Sequence, residues 1–379
     1  PRPEPLYGPS EAAAQVTHLE NEHDDFARHP LLPNKLSQLG PALAVGDLDG
    51  DGREDLFAGG AAGTAGRILL HRDGRFVPLV DQPLDEDRAA EDMGAALLDA
   101  DSDGDLDLYV ASGGYEFNEG AEALRDRLYL NNGKGRFERA PDEALPETRD
   151  SASCVVAADF DRDGDLDLFV GGRVIPGRYP LSPNSRLLRN DSSSEAPRFT
   201  DVTDTLAPGL RESGLVTGAL WSDADNDGWL DLLVCHEWGP VKLFRNAGGK
   251  LEDRTAESGT GKLHGWWNGI TGRDIDGDAD IDYVVTNFGL NTKYHASPGH
   301  PASLYYGDVA GNGQWRIIEA EFEGDKLFPI RGKSCSTAAI PQLGQKFRSY
   351  HDFALAELTD IFSPKFLKDA NRYEATTLE

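Results

Sequence analysis

Five short stretches of this chain gather carboxylates at spacings that could hold a metal ion. They read DLDGDGRED from Asp47, DADSDGDLD from Asp99, DFDRDGDLD from Asp159, DADNDGWLD from Asp223 and DIDGDADID from Asp274. Written as nine positions, each has aspartate at 1, 3, 5 and 9. These are Asp47, Asp49, Asp51 and Asp55; Asp99, Asp101, Asp103 and Asp107; Asp159, Asp161, Asp163 and Asp167; Asp223, Asp225, Asp227 and Asp231; and Asp274, Asp276, Asp278 and Asp282. A sharp turn at position 6 would make these side chains converge. The position-7 carbonyl, from Arg53, Asp105, Asp165, Trp229 or Asp280, would add a ligand. Gly52, Gly104, Gly164 and Gly228 permit that turn, whereas the fifth loop has Ala279, with Gly277 before it.

Such loops are hard to tolerate without a cation. Two like charges ~4 Å apart cost about 4 kcal/mol at an effective dielectric near 20. Hard oxygen donors with no thiol or imidazole favour Ca²⁺ over zinc or copper, and Mg²⁺ rarely accepts an all-protein cage. We therefore expect about five Ca²⁺ ions, which would take the formal charge from −29 to −19. An EF-hand is excluded because position 12 holds Ala58, Val110, Val170, Val234 and Val285, and because the flanks are strand-like rather than helical. Five acidic surface turns without metal are the plainer alternative, and five copies in register weigh against it.

The elements that must position these loops are short strands. Small apolar runs precede each loop, at residues 42–45, 95–98, 154–157, 217–221 and 269–271. Runs richer in β-branched and aromatic residues follow, at 56–58, 108–111, 168–170, 232–235 and 283–286. Further hairpins are expected at RLYLNNGKGRFERA from Arg127, RLLRNDSSSEAPRFTDVT from Arg186 and VKLFRNAGGKLEDRT from Val241. The loops begin 52, 60, 64 and 51 residues apart, a period that suits one propeller blade of about four strands. We expect an all-β propeller of seven blades (six, or an incomplete ring, being the alternative), with a short C-terminal helical segment. Residues 1–40 would join the propeller, 41–340 would form it with its five calcium loops, and 341–379 would be helical.

A weaker copy, LYYGDVAGNGQWRII from Leu304, has Asp308, Ala310, Asn312 and Arg316 at the ligand positions, so no metal is expected there. It could instead be a third strand of the fifth unit. In the tail, Ser349 with Asp352 resembles a capping box, and Ser363-Pro364 opens a second short helix.

The composition narrows the partners. Lys plus Arg number 37 against 66 Asp plus Glu, an excess that repels nucleic acid and anionic membranes. No stretch approaches the roughly 20 apolar residues of a membrane span, and we expect no membrane insertion. The chain starts Pro1-Arg2-Pro3 and its only methionine is Met93, so we read it as a processed or excised piece. Cys154, Cys235 and Cys335 are too few and too widely spaced for a zinc site or disulfide framework, and buried free thiols are expected.

These repeats resemble FG-GAP (VCBS-type) repeats, the units of integrin α-chain propellers. The longer context, including FARHPLLPNKLSQLGPALAVGD, VGGRVIPGRYPL, HGWWNGI, NFGLNTKY and LFPIRGKSC, is similar to bacterial proteins related to the ASPIC/UnbV cartilage acidic protein group. The resemblance runs through nearly the whole chain. It implies calcium between the first two strands of a blade, an extracellular, cell-surface or periplasmic setting, and an interaction or adhesion role toward a protein or glycan ligand. No motif for the integrin ligand pocket is present.

Enzyme signatures are missing: Gly332-Lys333-Ser334 resembles the end of a phosphate loop, but Leu327 stands where its first glycine belongs. No catalytic residue is proposed from the sequence, and a non-catalytic role is expected. The alternatives are a carbohydrate-active enzyme resembling a polysaccharide lyase, or a lectin. Trp221, Trp238, Trp266 and Trp267, with His236, His264 and Asn268 nearby, could form a ring-stacking pocket; packing between blades is the plainer reading, with Arg178 and Tyr179 weaker candidates for such a pocket.

Overall fold

The computed structural model describes residue 13 and residues 16–193, 196–309 and 311–379. The N-terminal residues outside these ranges, part of the expected joining segment, and Ala310 of the weak sixth loop lie outside the described residues.

The chain is all-β with a few short helices. The first sheet is β1 (Leu43–Gly46), β2 (Asp55–Ala58), β3 (Arg67–Arg72) and β4 (Arg75–Pro78), in that order. The second is β5 (Glu91–Leu98), β6 (Asp107–Gly113), β7 (Arg127–Asn131) and β8 (Phe137–Arg139). The third is β9 (Ala152–Ala158), β10 (Asp167–Gly172), β11 (Arg186–Asn190) and β12 (Phe199–Asp201). The fourth is β13 (Leu215–Ser222), β14 (Asp231–Gly239), β15 (Lys242–Asn246) and β16 (Leu251–Asp253), with β17 (Gly265–Trp266) added to the end of β14. All pairings are antiparallel meanders. The fifth sheet has only β18 (Gly269–Arg273) and β19 (Asp282–Thr286). The sixth runs in the order β22 (Lys326–Pro329), β21 (Trp315–Glu323), β20 (Ala302–Asp308), β23 (Asn371–Ala375). Among the described residues there are thus six sheets, where seven blades were expected with six, or an incomplete ring, as the alternative.

Strand periodicity explains how the sheets stack. Leu108 and Val110 of β6 pack toward the first sheet, with Phe57 and Ile68, while Tyr109 and Ala111 pack toward the third, with Leu168 and Val170. Phe169 faces the other way, toward Leu232 and Val234 of β14. Alternate residues point to opposite faces, so a second strand covered on both sides must be apolar at every position. Each such side chain contributes roughly 1.5–3 kcal/mol on burial. The first strands β1, β5, β9, β13 and β18 touch in succession.

The largest hydrophobic cluster joins the sixth sheet and the C-terminal helices to Leu31, Leu32 and Leu36 and to Tyr115, Val174, Tyr179 and Trp238 of the other units. The helices run from Lys333–Ala339 through Gln342–Lys346, Tyr350–Ala354, Leu358–Ile361 and Pro364–Asp369. Helix therefore begins before residue 341. The tail ends not in helix but in β23, which pairs with β20 and closes the sixth sheet around the helices. Ser349 and Ser363 cap their helices as expected, accepting from the amides of Asp352 and Phe366. The reciprocal capping box is formed by Glu357 and Asp360.

Candidate metal centre

Every Asp loop joins the first and second strands of its sheet, and all five share one backbone form. Position 4 has positive φ in each, at Gly50, Ser102, Arg162, Asn226 and Gly277, and position 6 has it again, at Gly52, Gly104, Gly164, Gly228 and Ala279. Ala279 (φ 76°) thus takes the left-handed turn without glycine. The position-1 carboxylate holds this turn together. Asp47 accepts from the amides of Gly50, Asp51 and Gly52; Asp99, Asp159 and Asp223 accept from those at positions 5 and 6 of their turns, and Asp274 from Gly277 and Ala279 at positions 4 and 6. These bonds, that from Gly52 above all, draw the Asp47 carboxyl below its ordinary range.

The position-9 aspartate ties the loop to the sheet. One oxygen accepts from the position-2 amide: Leu48 to Asp55 (2.9 Å), Ala100 to Asp107 (2.9 Å), Phe160 to Asp167 (3.3 Å), Ala224 to Asp231 (3.0 Å) and Ile275 to Asp282 (2.9 Å). In the first four loops the other oxygen accepts from the third strand, from the amides of His71, Asn131, Asn190 and Asn246 at 2.7–2.8 Å. Asp55, Asp107, Asp167 and Asp231 are buried as a result, while Asp282 is exposed. Burial pushes Asp107 and Asp167 up to about 7 and raises Asp55 and Asp231 as well.

Positions 1, 3 and 9 come together. In each of Asp47/Asp49/Asp55, Asp99/Asp101/Asp107, Asp159/Asp161/Asp167, Asp223/Asp225/Asp231 and Asp274/Asp276/Asp282, one carboxylate oxygen per residue lies within 4.8 Å of the others. The position-5 carboxylates stand outside these groups. Asp51, Asp103, Asp163, Asp227 and Asp278 instead accept from the position-7 amides of Arg53, Asp105, Asp165, Trp229 and Asp280. Those bonds bracket the turn and use one oxygen of each position-5 carboxylate. Arg72 pairs with Asp49 and Asp51, and Arg245 pairs with Asp225 and Asp227, so loops 1 and 4 carry a cationic side chain of their own.

The oxygens fit a hard cation. Asp49 Oδ1, Asp101 Oδ1 and Asp161 Oδ1 are buried without a hydrogen-bond donor, a costly condition for a carboxylate unless something positive faces it. Burial first, then the neighbouring position-5 carboxylate, raises Asp101 and Asp161.

The sequence reading missed one part of this arrangement. Asn131 and Asn246 end the third strands, and their side-chain amides donate across to Leu48 O and Phe160 O of the preceding loops, stapling neighbouring loops together. The signal was present as the asparagine shared by RLYLN, RLLRN and KLFRN.

The weak sixth copy joins β20 to β21, the two middle strands of the sixth sheet, rather than forming a third strand of the fifth unit. Asp308 accepts from the amides of Asn312 and Gly313, and Gly311 and Gly313 have positive φ, so the turn persists. At position 9, however, stands Arg316, whose guanidinium donates to Trp315 O, Gln314 Oε1 and Ala339 O.

The tryptophans do not form an open pocket. Trp238, Trp266 and Trp267 are buried, and Trp266 packs with ring centroids 4.5–4.9 Å from Trp238, Phe288 and Tyr294. Trp221 is half-buried and stacks on Phe160. Trp238 Nε1 donates to Tyr179 OH (2.6 Å), which donates to Glu237 Oε1 (2.6 Å). His236 is buried and pushed down to about 3 by desolvation. The cysteines are all free; Cys235 is buried and Cys154 partly so, but Cys335 is exposed on its helix, against expectation. Among the described residues no helix is long and apolar enough to cross a membrane.

A family model described as FG-GAP-like repeat matches residues 47–110, 112–170 and 223–285, which contain all five Asp loops. Mouse (Mus musculus) cartilage acidic protein 1 is 29% identical over 218 residues, covering 54% of this chain and 30% of the relative. The human (Homo sapiens) protein is 28% identical over 218 residues with the same coverage. The match thus spans less than a third of the relatives' length. Among solved structures, the V. cholerae biofilm matrix protein Bap1 overlaps with a TM-score of 0.33 at 15% identity, covering 76% of this chain and 38% of that one. The chain carries FG-GAP-like repeats in three places, folded as the successive antiparallel sheets of a β-propeller, and is homologous to cartilage acidic protein 1.

Proposed function

We propose that the five loops bind Ca²⁺ and that the calcium-loaded propeller is a non-catalytic interaction module working outside the cell. The observation that carries the metal reading is the set of buried, donor-less oxygens on Asp49, Asp101 and Asp161, each inside a convergent aspartate triad. Positions 1, 3 and 9 would supply carboxylate oxygens and position 7 a carbonyl. Hard oxygen donors of this kind suit Ca²⁺, and extracellular calcium is abundant enough to fill sites with Kd near 10⁻⁴–10⁻³ M. The name of the matched relatives, cartilage acidic protein, agrees with an extracellular setting. The ion's role here is structural: it would neutralise the triad between two strands, so each loop holds its sheet edge and presents a fixed surface to a protein or glycan partner.

Thermal unfolding in calcium and in EGTA tests this reading. A ligand at 100-fold excess over its Kd adds about 2.7 kcal/mol for each site it fills in the native state alone. Chelation should therefore lower the melting temperature by well over ten degrees. An identical melt in both buffers contradicts calcium as the resident ion.

A further inference from the structure

The Asp loops lie at one end of the strands; a different acidic site lies at the other. Glu91 begins β5 and pairs with Gly113 at the end of β6, so it sits at the end of the sheet away from Asp99. Its side chain is 1% exposed, and both carboxylate oxygens are buried without a hydrogen-bond donor. Glu116 lies within hydrogen-bonding reach of it. The Glu116 oxygens take one bond each, from Tyr115 N (2.8 Å) and Asn21 Nδ2 (3.2 Å). Asn21 Oδ1 is also buried and has no partner.

The backbone leaves room for these oxygens. Gly114, at φ +105°, would place a Cβ 2.6 Å from Glu91 Oε2 and 2.8 Å from Glu116 Oε2, so only glycine fits between the two carboxylates. The neighbouring Asp92 is already engaged, by Arg127 (2.6 Å) and the Gly60 amide (2.8 Å). The charged groups acting most strongly on Glu91 are Glu116, Glu20 and Asp92, all acidic.

We infer that Glu91, Glu116 and the Asn21 side-chain carbonyl hold one hard divalent cation, at a site separate from the Asp loops. Two carboxylates and an amide oxygen from three separate segments make an all-oxygen donor set, and a divalent ion neutralises the pair. The ion would tie the segment before Asp24 to the ends of β5 and β6.

Equilibrium dialysis of the whole chain against manganese(II), comparing wild type with Glu91→Gln, tests the site. The glutamine amide can donate to the Glu116 carboxylate, so the variant should melt in EDTA at or above wild type while binding one manganese ion fewer. Equal counts in the two proteins overturn the proposal. Should the variant fail to fold, anomalous scattering at the manganese edge from wild-type crystals decides the matter. A peak touching both Glu91 and Glu116 supports the site, and two carboxyl groups in direct contact without a peak overturn it.

Discussion

Loops 1 to 4 and loop 5 carry the same sequence pattern and the same turn, yet they sit in different surroundings. In the first four, the ninth-position aspartate is buried and gripped from two sides, by its own loop and by the third strand. In loop 5, Asp282 keeps the bond from Ile275 N, but the sheet stops at β19 and Asp282 is exposed. The turn is therefore a local property of the nine residues, whereas the rigidity and dryness of the ligand set come from the rest of the sheet. A preorganised site loses less conformational entropy on binding, so loops 1 to 4 should bind more tightly than loop 5.

The largest expected effect comes from removing the clamp itself. Asp107→Ala leaves the buried amides of Ala100 and Asn131 without partners and should cost about 3 kcal/mol in calcium-free denaturant unfolding. Asp282→Ala, at an exposed position with one such bond, should cost about 1 kcal/mol or less. Equal losses would dissolve the distinction between the two kinds of loop.

The next effect is on calcium. Asp101→Asn should abolish one site's contribution to calcium-dependent stabilisation, about 2.7 kcal/mol at 100-fold excess. Asp276→Asn should remove less than half as much at the same calcium concentration, because its site is only partly filled. Parallel melts across a calcium series measure both.

Acidity should separate the loops too. Asp107 and Asp167 are held at about 7, above the ordinary 3.8. In EGTA the folded chain therefore holds more protons than the unfolded chain between about pH 4 and 7, and these two groups make it less stable as pH rises through that window. Calcium needs the ionised carboxylates, so its stabilisation should grow over the same window. Asp107→Asn with Asp167→Asn should flatten the calcium-free profile, a comparison made by melts at pH 5 and 8. The smallest effect belongs to Ala279→Gly. It removes a left-handed alanine from loop 5 and should leave the melt within about 1 kcal/mol of wild type, on the stabilising side.

The loops were legible in the sequence because nine residues contain all the chemistry of the turn. Their ninth ligand was legible only in part, since in loops 1 to 4 its burial depends on strands some 15–24 residues further on. The first unit's own hairpin, β3 and β4 turning at Asp73-Gly74 with φ 49° and 74°, has an Asp-Gly turn where others have Asn-Gly or Gly-Gly, lacks their shared asparagine and escaped notice. The fifth-position carboxylates were read as ligands because their spacing matches; that one oxygen of each also accepts from the position-7 amide does not show in spacing. What lies furthest from the sequence is the cap, in which residues near 31–36 meet helices beyond 333. No local pattern links two ends of a chain. The burial of Trp238 and Trp266 follows from that same long-range packing.

The central claim is that aspartates 1, 3 and 9 of each loop surround a divalent ion. Crystals grown in calcium and measured at long wavelength would test it through the anomalous difference map. The account predicts peaks at Asp47/Asp49/Asp55, Asp99/Asp101/Asp107, Asp159/Asp161/Asp167 and Asp223/Asp225/Asp231, with a weaker one at Asp274/Asp276/Asp282. Water alone at these positions, or Arg72 and Arg245 still folded onto their carboxylates with no peak beside them, would contradict it.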